Sequence, residues 1–325
     1  MIQNPDGYLH IYMLNVGQGD TTVIITPKGN LIIIDATRPK KLRDLLNQLG
    51  CDGNIEHLIV THPHSDHYSA CNNLADNLNI YKATLAPFWH AFGMGPPTYH
   101  KLIARLESKG TDINFLSGYS RWYPEDIMIS SSTGDSIIDS DKPYLELLGP
   151  TNDLIRQLED ASSFETNHLS IMSRLTWRNF RMIITGDAQM ENWNNFDEER
   201  LLEEKCQVLQ ASHHGSKNGT QWERIHRLKP NVIIVSSDPE SKDLLPDLCG
   251  SAIFAEYDSF DGKYACLTSD TGTIYLRVSN TNKRRIRAMG EAPHQNIDLN
   301  NYNTITETTN PTNWTTLLQK RLEQI

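Results

Sequence analysis

The stretch Thr61-His62-Pro63-His64-Ser65-Asp66-His67 constrains this chain more than any other. Between His62 and His67 it sets three imidazoles and one carboxylate in six positions. It follows the apolar run Leu58-Ile59-Val60, which reads as a short buried strand. His62 and His64, two apart on the extended exit from that strand, can face the same way. Asp66 and His67 then fall where Asp66 would cap a helix carrying Leu74 and Leu78. Imidazole together with carboxylate suits a divalent metal such as zinc, manganese or iron. The cluster offers more ligands than one tetrahedral ion needs, which points to two ions.

The same pattern recurs along the chain. Met182-Ile183-Ile184 leads to Asp187, Val208-Leu209 leads to His213-His214, and Leu31-Ile32-Ile33-Ile34 ends in Asp35. Strands that deliver ligand-type residues at the same end build a rigid site at one edge of a sheet, with loops carrying the ligands. Ser170 to Thr176 and Phe180 to Thr185 read as a hairpin around Trp177-Arg178-Asn179. That hairpin would bring His168, at its start, beside Asp187 at its end. A helix is expected from about Lys40 to Leu49, with Leu42, Leu45, Leu46 and Leu49 on one face and Gly50 as its stop.

Composition bounds what such a site can serve. With 38% hydrophobic and 22% charged residues over 325 positions, the chain supports a sizeable core. No apolar run of about 18 residues is present, so no membrane span is expected. The first residues lack a basic region and an apolar core, so no secretory leader is expected either. Five scattered cysteines read as reduced thiols, and a cytoplasmic location is expected. The net charge of −10 argues against tight nonspecific binding to nucleic acid.

Residues 87 to 140 are less legible. Phe88-Trp89-His90 and Gly93-Met94-Gly95-Pro96-Pro97 suggest a loop near the site, and a helix with Leu102, Ile103 and Leu106 on one face stops at Gly110. His90 and His100 read as packing or surface residues. From residue 281 the chain turns polar. Its basic run Lys283-Arg284-Arg285-Ile286-Arg287 and the Asn/Thr-rich stretch after it read as a linker or arm. A last helix with Leu317, Leu318 and Leu322 on one face would close it. The expected organisation is therefore a domain over 1–280 and an arm over 281–325 that is dispensable for metal binding.

His-x-His-x-Asp-His after a buried strand resembles the signature of the metallo-β-lactamase superfamily. Asn15-Val16-Gly17-Gln18-Gly19-Asp20, Thr185-Gly186-Asp187 and His213-His214-Gly215-Ser216 are similar to one branch of it. That branch is typified by the hydrolase domain of ComEC-type DNA-uptake proteins and by related free-standing hydrolases. Asn167-His168-Leu169-Ser170 resembles its Asn-x-x-Ser element, and Thr268-Ser269-Asp270-Thr271-Gly272 its closing strand motif. Two departures stand out. Leu245-Pro246 occupies the position where this branch often has His-Pro, and no transmembrane channel accompanies the domain, so DNA uptake is not implied.

The resemblance implies an α/β fold, an αββα sandwich of two mixed β-sheets flanked by helices. It also implies two divalent ions, zinc or manganese. His62, His64 and His168 would hold one, with Asp187 bridging to the other. Asp66, His67 and one histidine of the 213–214 pair would hold that second ion, with His214 favoured over His213 because Gly215 follows it. His213 would then either orient a ligand from behind or face phosphate, and Asp35 and Asp20 would orient ligands or backbone. Asp66 would orient the attacking hydroxide, with His213 or Lys217 steadying a leaving oxygen. The expected activity is a dinuclear metal-dependent hydrolase acting on a phosphodiester substrate, nucleic acid among the candidates. Hydrolysis of a small-molecule ester, lactone or phosphocholine-type substrate is the alternative. A catalytically silent metal module acting through its tail is a third reading, weakened by the complete ligand set.

Overall fold

Short runs of β-branched and aliphatic residues, too brief for helices, make the two large sheets of this chain. The structure, a computed structural model, describes residues 5–87, 96–124, 142–160, 165–198 and most of 201–236 and 264–299, with short strands at 128–129, 136–137 and 303–304. The first six strands are β1 (Leu9–Met13), β2 (Thr22–Ile25), β3 (Leu31–Ile34), β4 (Asn54–Val60), β5 (Asn79–Leu85) and β6 (Asp112–Phe115). Then come β7 (Tyr119–Trp122), β8 (Met128–Ile129), β9 (Ser136–Ile137), β10 (Tyr144–Leu148), β11 (Met172–Trp177) and β12 (Phe180–Ile184). The last six are β13 (Val208–Gln210), β14 (Val232–Val235), β15 (Tyr264–Leu267), β16 (Ile274–Val278), β17 (Arg284–Ala288) and β18 (Asn303–Thr304).

One large sheet has nine strands in the order β18-β17-β16-β1-β2-β3-β4-β5-β6, the other has seven in the order β15-β14-β13-β12-β11-β10-β7, and β8 and β9 form a separate two-stranded sheet. Both large sheets are mixed. In the first, β1 to β3 are antiparallel and β3 to β6 parallel. In the second, β10 to β12 are antiparallel and β12 to β15 parallel.

Alternation along the strands builds the layers. Met182, Ile184, Val208 and Ile234 join the core between the sheets. Their neighbours Ile183, Leu209 and Ile233 turn outward to Trp193 and Phe196 of the helix Met190–Glu198 and to Ile225 and Leu228 of the helix Trp222–Leu228. The helices Pro39–Gln48, Cys71–Asn77 and Pro97–Ser108 bury Leu42, Leu45, Leu74, Leu102 and Leu106 in the large core. Each such fully buried side chain contributes about 1.5–3 kcal/mol. This is the αββα sandwich expected from the sequence.

The last described segment departs from the expectation. Residues 284–288 and 303–304 do not leave the domain as a linker or arm: β17 pairs along β16 from Arg284 opposite Val278 to Ala288 opposite Ile274, and β18 pairs with β17. The basic run is therefore a strand of the first sheet, whose Arg287 lies over the Tyr275 ring. The expected terminal helix at 314–325 and the expected loop at 88–95 lie outside the described residues.

Strand β10 carries a charge into the interior. Glu146 sits mid-strand and buried, its carboxylate held by Arg174 at 2.6 Å, Arg121 at 2.6 Å and the Tyr119 hydroxyl at 2.9 Å. A buried carboxylate is tolerable only with such partners, and they come from strands distant in sequence.

His57 on β4 is fully buried, bonded through Nε2 to Thr84 Oγ1 at 2.8 Å and packed edge-on against Trp122. Burial, aided by Lys82, lowers its pKa to about 3. The unfolded chain takes up that proton first, near pH 6.5, so acid favours unfolding through this residue. Between pH 6.5 and 5 His57 is expected to withdraw about 2 kcal/mol of stability. Denaturant titrations at both pH values should show a shallower pH slope for His57→Gln than for wild type. Equal slopes would remove His57 from the acid response.

Candidate metal centre

The two sheets meet where their strands deliver polar residues. Beyond β4, Thr61 accepts the Ile171 amide at 2.9 Å, and a Cβ on Gly186 would fall 2.8 Å from the Thr61 side chain. Gly186 has φ +51 and is the residue that lets this approach occur. Asp35, at the end of β3, accepts the Thr61 amide at 2.8 Å and the Thr61 hydroxyl at 2.7 Å. Its Oδ2 also pairs with His67 Nδ1 at 2.8 Å. Asp35 thereby fixes the ring that follows the turn, leaving His67 Nε2 directed into the site.

Asp187 sits at the centre. Its Oδ1 lies 3.2 Å from His67 Nε2 and 3.5 Å from His214 Nε2, and its Oδ2 lies 3.6 Å from His62 Nε2. His64 Nδ1 is 3.0 Å from His62 Nε2, and Asp66 Oδ2 is 3.6 Å from His214 Nε2. Among the described residues three groups of converging ligand atoms result: His62, His64 and Asp187; Asp66, His67 and His214; and Asp20, His67 and Asp187.

These residues fit divalent ions on two observations. His67 Nε2, Asp187 Oδ1 and His214 Nε2 are buried without a hydrogen-bond partner although they face one another. Metal–ligand bonds of about 2.0–2.1 Å in a tetrahedron put ligand atoms roughly 3.3–3.5 Å apart, close to the separations seen here. The far side of each ring is also prepared. His67 Nδ1 is held by Asp35 and His214 Nδ1 by the Ser236 carbonyl at 3.2 Å, leaving both Nε2 atoms for coordination.

The electrostatics call for positive charge. Burial disfavours a charged His214, yet Asp187, Asp66 and Asp20 outweigh it and raise its pKa to about 9. Burial likewise opposes charge on His67, but Asp187 and Asp35 push its pKa well above the usual value. Burial would raise the Asp187 pKa, but His67, His214 and His62 hold it well below the carboxylate range. His62, buried and next to His67, is pushed well down and stays neutral.

The expected residues are not all brought together. His62, His64, Asp66, His67, Asp187 and His214 converge, while His168 and His213 both stand outside the three groups, His213 with its Nε2 3.8 Å from Asp187 Oδ2. The Nε2 of His168 is engaged by Gln189 Oε1 at 3.0 Å and lies 3.2 Å from Glu191 Oε2. Gln189 is itself fixed by Glu165 and Asn192. Asp66 does not cap a long helix: it lies inside the single turn Ser65–Tyr68, preceded by His64 and separate from Cys71–Asn77. His100 lies on the helix Pro97–Ser108, and His90 and Lys217 lie outside the described residues.

Sequence reasoning missed Ser236, whose carbonyl orients His214 and whose hydroxyl donates to the Gly19 carbonyl at 2.8 Å. It follows β14, and its place at a strand's carboxyl end was the only signal.

The glycine loop Asn15–Asp20 closes one side. The Asp20 amide donates to the Asp66 carbonyl at 3.1 Å, and a Cβ on Gly19, at φ +115, would fall 2.3 Å from that oxygen. Gly19→Ala is expected to lower stability by more than about 1 kcal/mol and to weaken metal retention through Asp66. Thermal unfolding and metal content of the purified variant check this; wild-type values in both would show the loop is not needed to place Asp66.

The sequence profile of the metallo-beta-lactamase superfamily matches residues 14–237. A metal-dependent hydrolase of Cupriavidus metallidurans is 33% identical over 86 residues, which is 26% of this chain and 27% of that protein. Among solved structures, the diiron beta-hydroxylase CmlA of Streptomyces venezuelae superposes with a TM-score of 0.53 at 11% identity, covering 85% of this chain and 55% of CmlA. Zinc-bound PqqB of Methylobacterium extorquens gives 0.50 at 9% identity, covering 79% and 97%. The chain thus spans about half the length of CmlA, and likenesses at this identity concern the fold alone. No described helix is long and apolar enough to cross a membrane. With a profile match over most of its length, two mixed sheets and the His-x-His-x-Asp-His turn at their shared edge, the chain belongs to the metallo-beta-lactamase superfamily.

Proposed function

We propose that this chain is a dinuclear phosphodiesterase of the branch typified by ComEC-type hydrolase domains, with nucleic acid among its candidate substrates. The observation that carries this reading is Asp187, whose two oxygens face separate histidine sets, Oδ2 toward His62 and Oδ1 toward His67 and His214. One carboxylate presented to both sides suits two ions held close together, zinc or manganese. Such a pair, when bound, supplies acidified water and charge neutralisation for an in-line displacement at phosphorus. Asp66 is, with His64, one of the two partly exposed members, its side chain 32% accessible beside the buried His214. Burial opposes its ionisation, but His214 and His67 keep its carboxyl well below the usual range. An ionised Asp66 at the mouth accepts a hydrogen bond from incoming water and orients it. His62, His67 and Asp187 are buried behind it, which keeps the ligand atoms out of bulk solvent.

The test joins metal analysis to a substrate panel of bis-aryl phosphate, single- and double-stranded DNA, RNA and a lactone. About two metals per chain and phosphodiester turnover with zinc or manganese are expected. Rapid lactone opening with no phosphodiester turnover under either metal would replace this reading with small-molecule hydrolysis.

A further inference from the structure

We infer that His213, not His168, is the third imidazole of the His62/His64 side, so that the adjacent pair His213-His214 supplies one ligand to each ion. This rests on the dinuclear reading of the site and not on the identity of its substrate.

The geometry starts with the turn. His213 and His214 both have left-handed backbones, φ 51 in each, and Gly215 follows at φ 78. Two successive non-glycine residues in that region are unusual, and such strain persists only where surrounding contacts hold it. Those contacts are present. The His213 amide donates to the Gly186 carbonyl at 3.0 Å, which ties the turn to the residue before Asp187. Gly219 closes behind it, where an added Cβ would fall 2.9 Å from the His213 Cβ.

The consequence is that two neighbouring rings reach opposite oxygens of one carboxylate. His214 Nε2 lies 3.5 Å from Asp187 Oδ1, on the side of His67. His213 Nε2 lies 3.8 Å from Asp187 Oδ2, on the side of His62. An ordinary strand would also turn successive side chains apart, but it would not aim both at the same group.

The His213 ring carries the matching orientation on its other nitrogen. Nδ1 pairs with Ser216 Oγ at 2.8 Å, and that oxygen accepts the Gly219 amide at 3.1 Å. With Nδ1 donating to Ser216, the lone pair of Nε2 is directed at the Asp187 side, the arrangement that metal-ligating histidines use. Asn167 Nδ2 donates to that Nε2 at 3.2 Å, a single contact that an ion replaces. His168 is prepared differently: its Nε2 meets Gln189 and Glu191, inside a network that includes Glu165 and Asn192.

The deciding experiment is a zinc-loaded crystal of the wild-type protein, with anomalous scattering at the zinc edge, beside zinc titrations of His213→Ala and His168→Ala. The expected result is a zinc peak bonded to His62, His64 and His213. His213→Ala should bind one of its two ions at least 10-fold more weakly, and His168→Ala should bind both as wild type does. The cobalt-substituted protein should lose part of its d–d absorption in His213→Ala and keep it in His168→Ala. A zinc peak bonded to His168, or two undiminished ions in folded His213→Ala, overturns the assignment whether or not phosphodiesters are cleaved. Because the crystal uses the wild-type chain, the answer does not depend on either variant folding.

Discussion

Asp187→Asn is expected to strip the protein of both ions and to lower turnover at least ~1000-fold, about 4 kcal/mol of transition-state stabilisation. The carboxylate faces His62, His67, His213 and His214 between 3.2 and 3.8 Å. An amide of the same volume offers one oxygen to one side and turns N–H donors toward the imidazoles on the other. Both half-sites therefore lose their shared anion at once, whereas changing His64 or Asp66 touches one half only. Metal content after gel filtration, read with turnover of a bis-aryl phosphate, measures the effect. An Asp187→Asn protein that keeps two ions and activity within tenfold of wild type would remove Asp187 from the centre of the site.

Glu291→Ala is expected to cost about 3–5 kcal/mol of folding stability, the penalty of leaving a buried ammonium unpaired. Lys41 and Glu291 meet at 2.7 Å with both side chains buried. Burial lowers the Lys41 pKa, and Glu291 is the partner that opposes this shift. Lys41 Nζ also donates to the Asn15 carbonyl at 2.6 Å, and Asn15 Nδ2 donates to the Glu291 carbonyl at 2.8 Å. The Thr273 amide donates to the Glu291 carboxylate at 3.0 Å, and the Thr273 hydroxyl donates to the same group. Glu291 thus holds the start of the Asn15–Asp20 loop, whose far end bonds Asp66.

Truncation after Ser279 removes this clasp and the β17 edge together, so the segment once expected to be dispensable is expected to matter for the site. Chemical denaturation of Glu291→Ala against the double variant Lys41→Met/Glu291→Leu separates the causes. The double variant should recover much of the loss, because it leaves no charge without a partner. A Glu291→Ala protein as stable as wild type would show that the clasp carries no weight.

The strands that run to the metal edge were readable because each is a short apolar run closed by a ligand-type residue, as with Leu58 to His62 and Met182 to Asp187. Period and residue type carry that information locally. Helix Pro39–Gln48 was likewise legible from its leucine spacing. Where a segment depends on distant partners, local patterning misled. Glu146 is tolerable inside β10 only because Arg121 and Arg174, distant in sequence, are placed beside it. The arginines of β17 suggested a solvated tail, although alternation along a sheet lets one face of such a strand stay wet.

The candidate ligands divide in the same way. Residue chemistry and order along the chain were enough to single out His62, His64, Asp66, His67, Asp187 and the 213–214 pair, because metal coordination demands those side chains at the ends of rigid elements. Direction was not contained in the sequence. His168 stands where a hairpin brings it near Asp187, yet Gln189 and Glu191 engage its ring, and these contacts exist only once α and β layers have packed. The left-handed turn at His213 and His214 is tied to Gly186 just past the end of another strand and closed by Gly219 further along its own loop. Which nitrogen faces which carboxylate oxygen is a matter of a few ångströms and a ring rotation, and only tertiary packing decides quantities of that size.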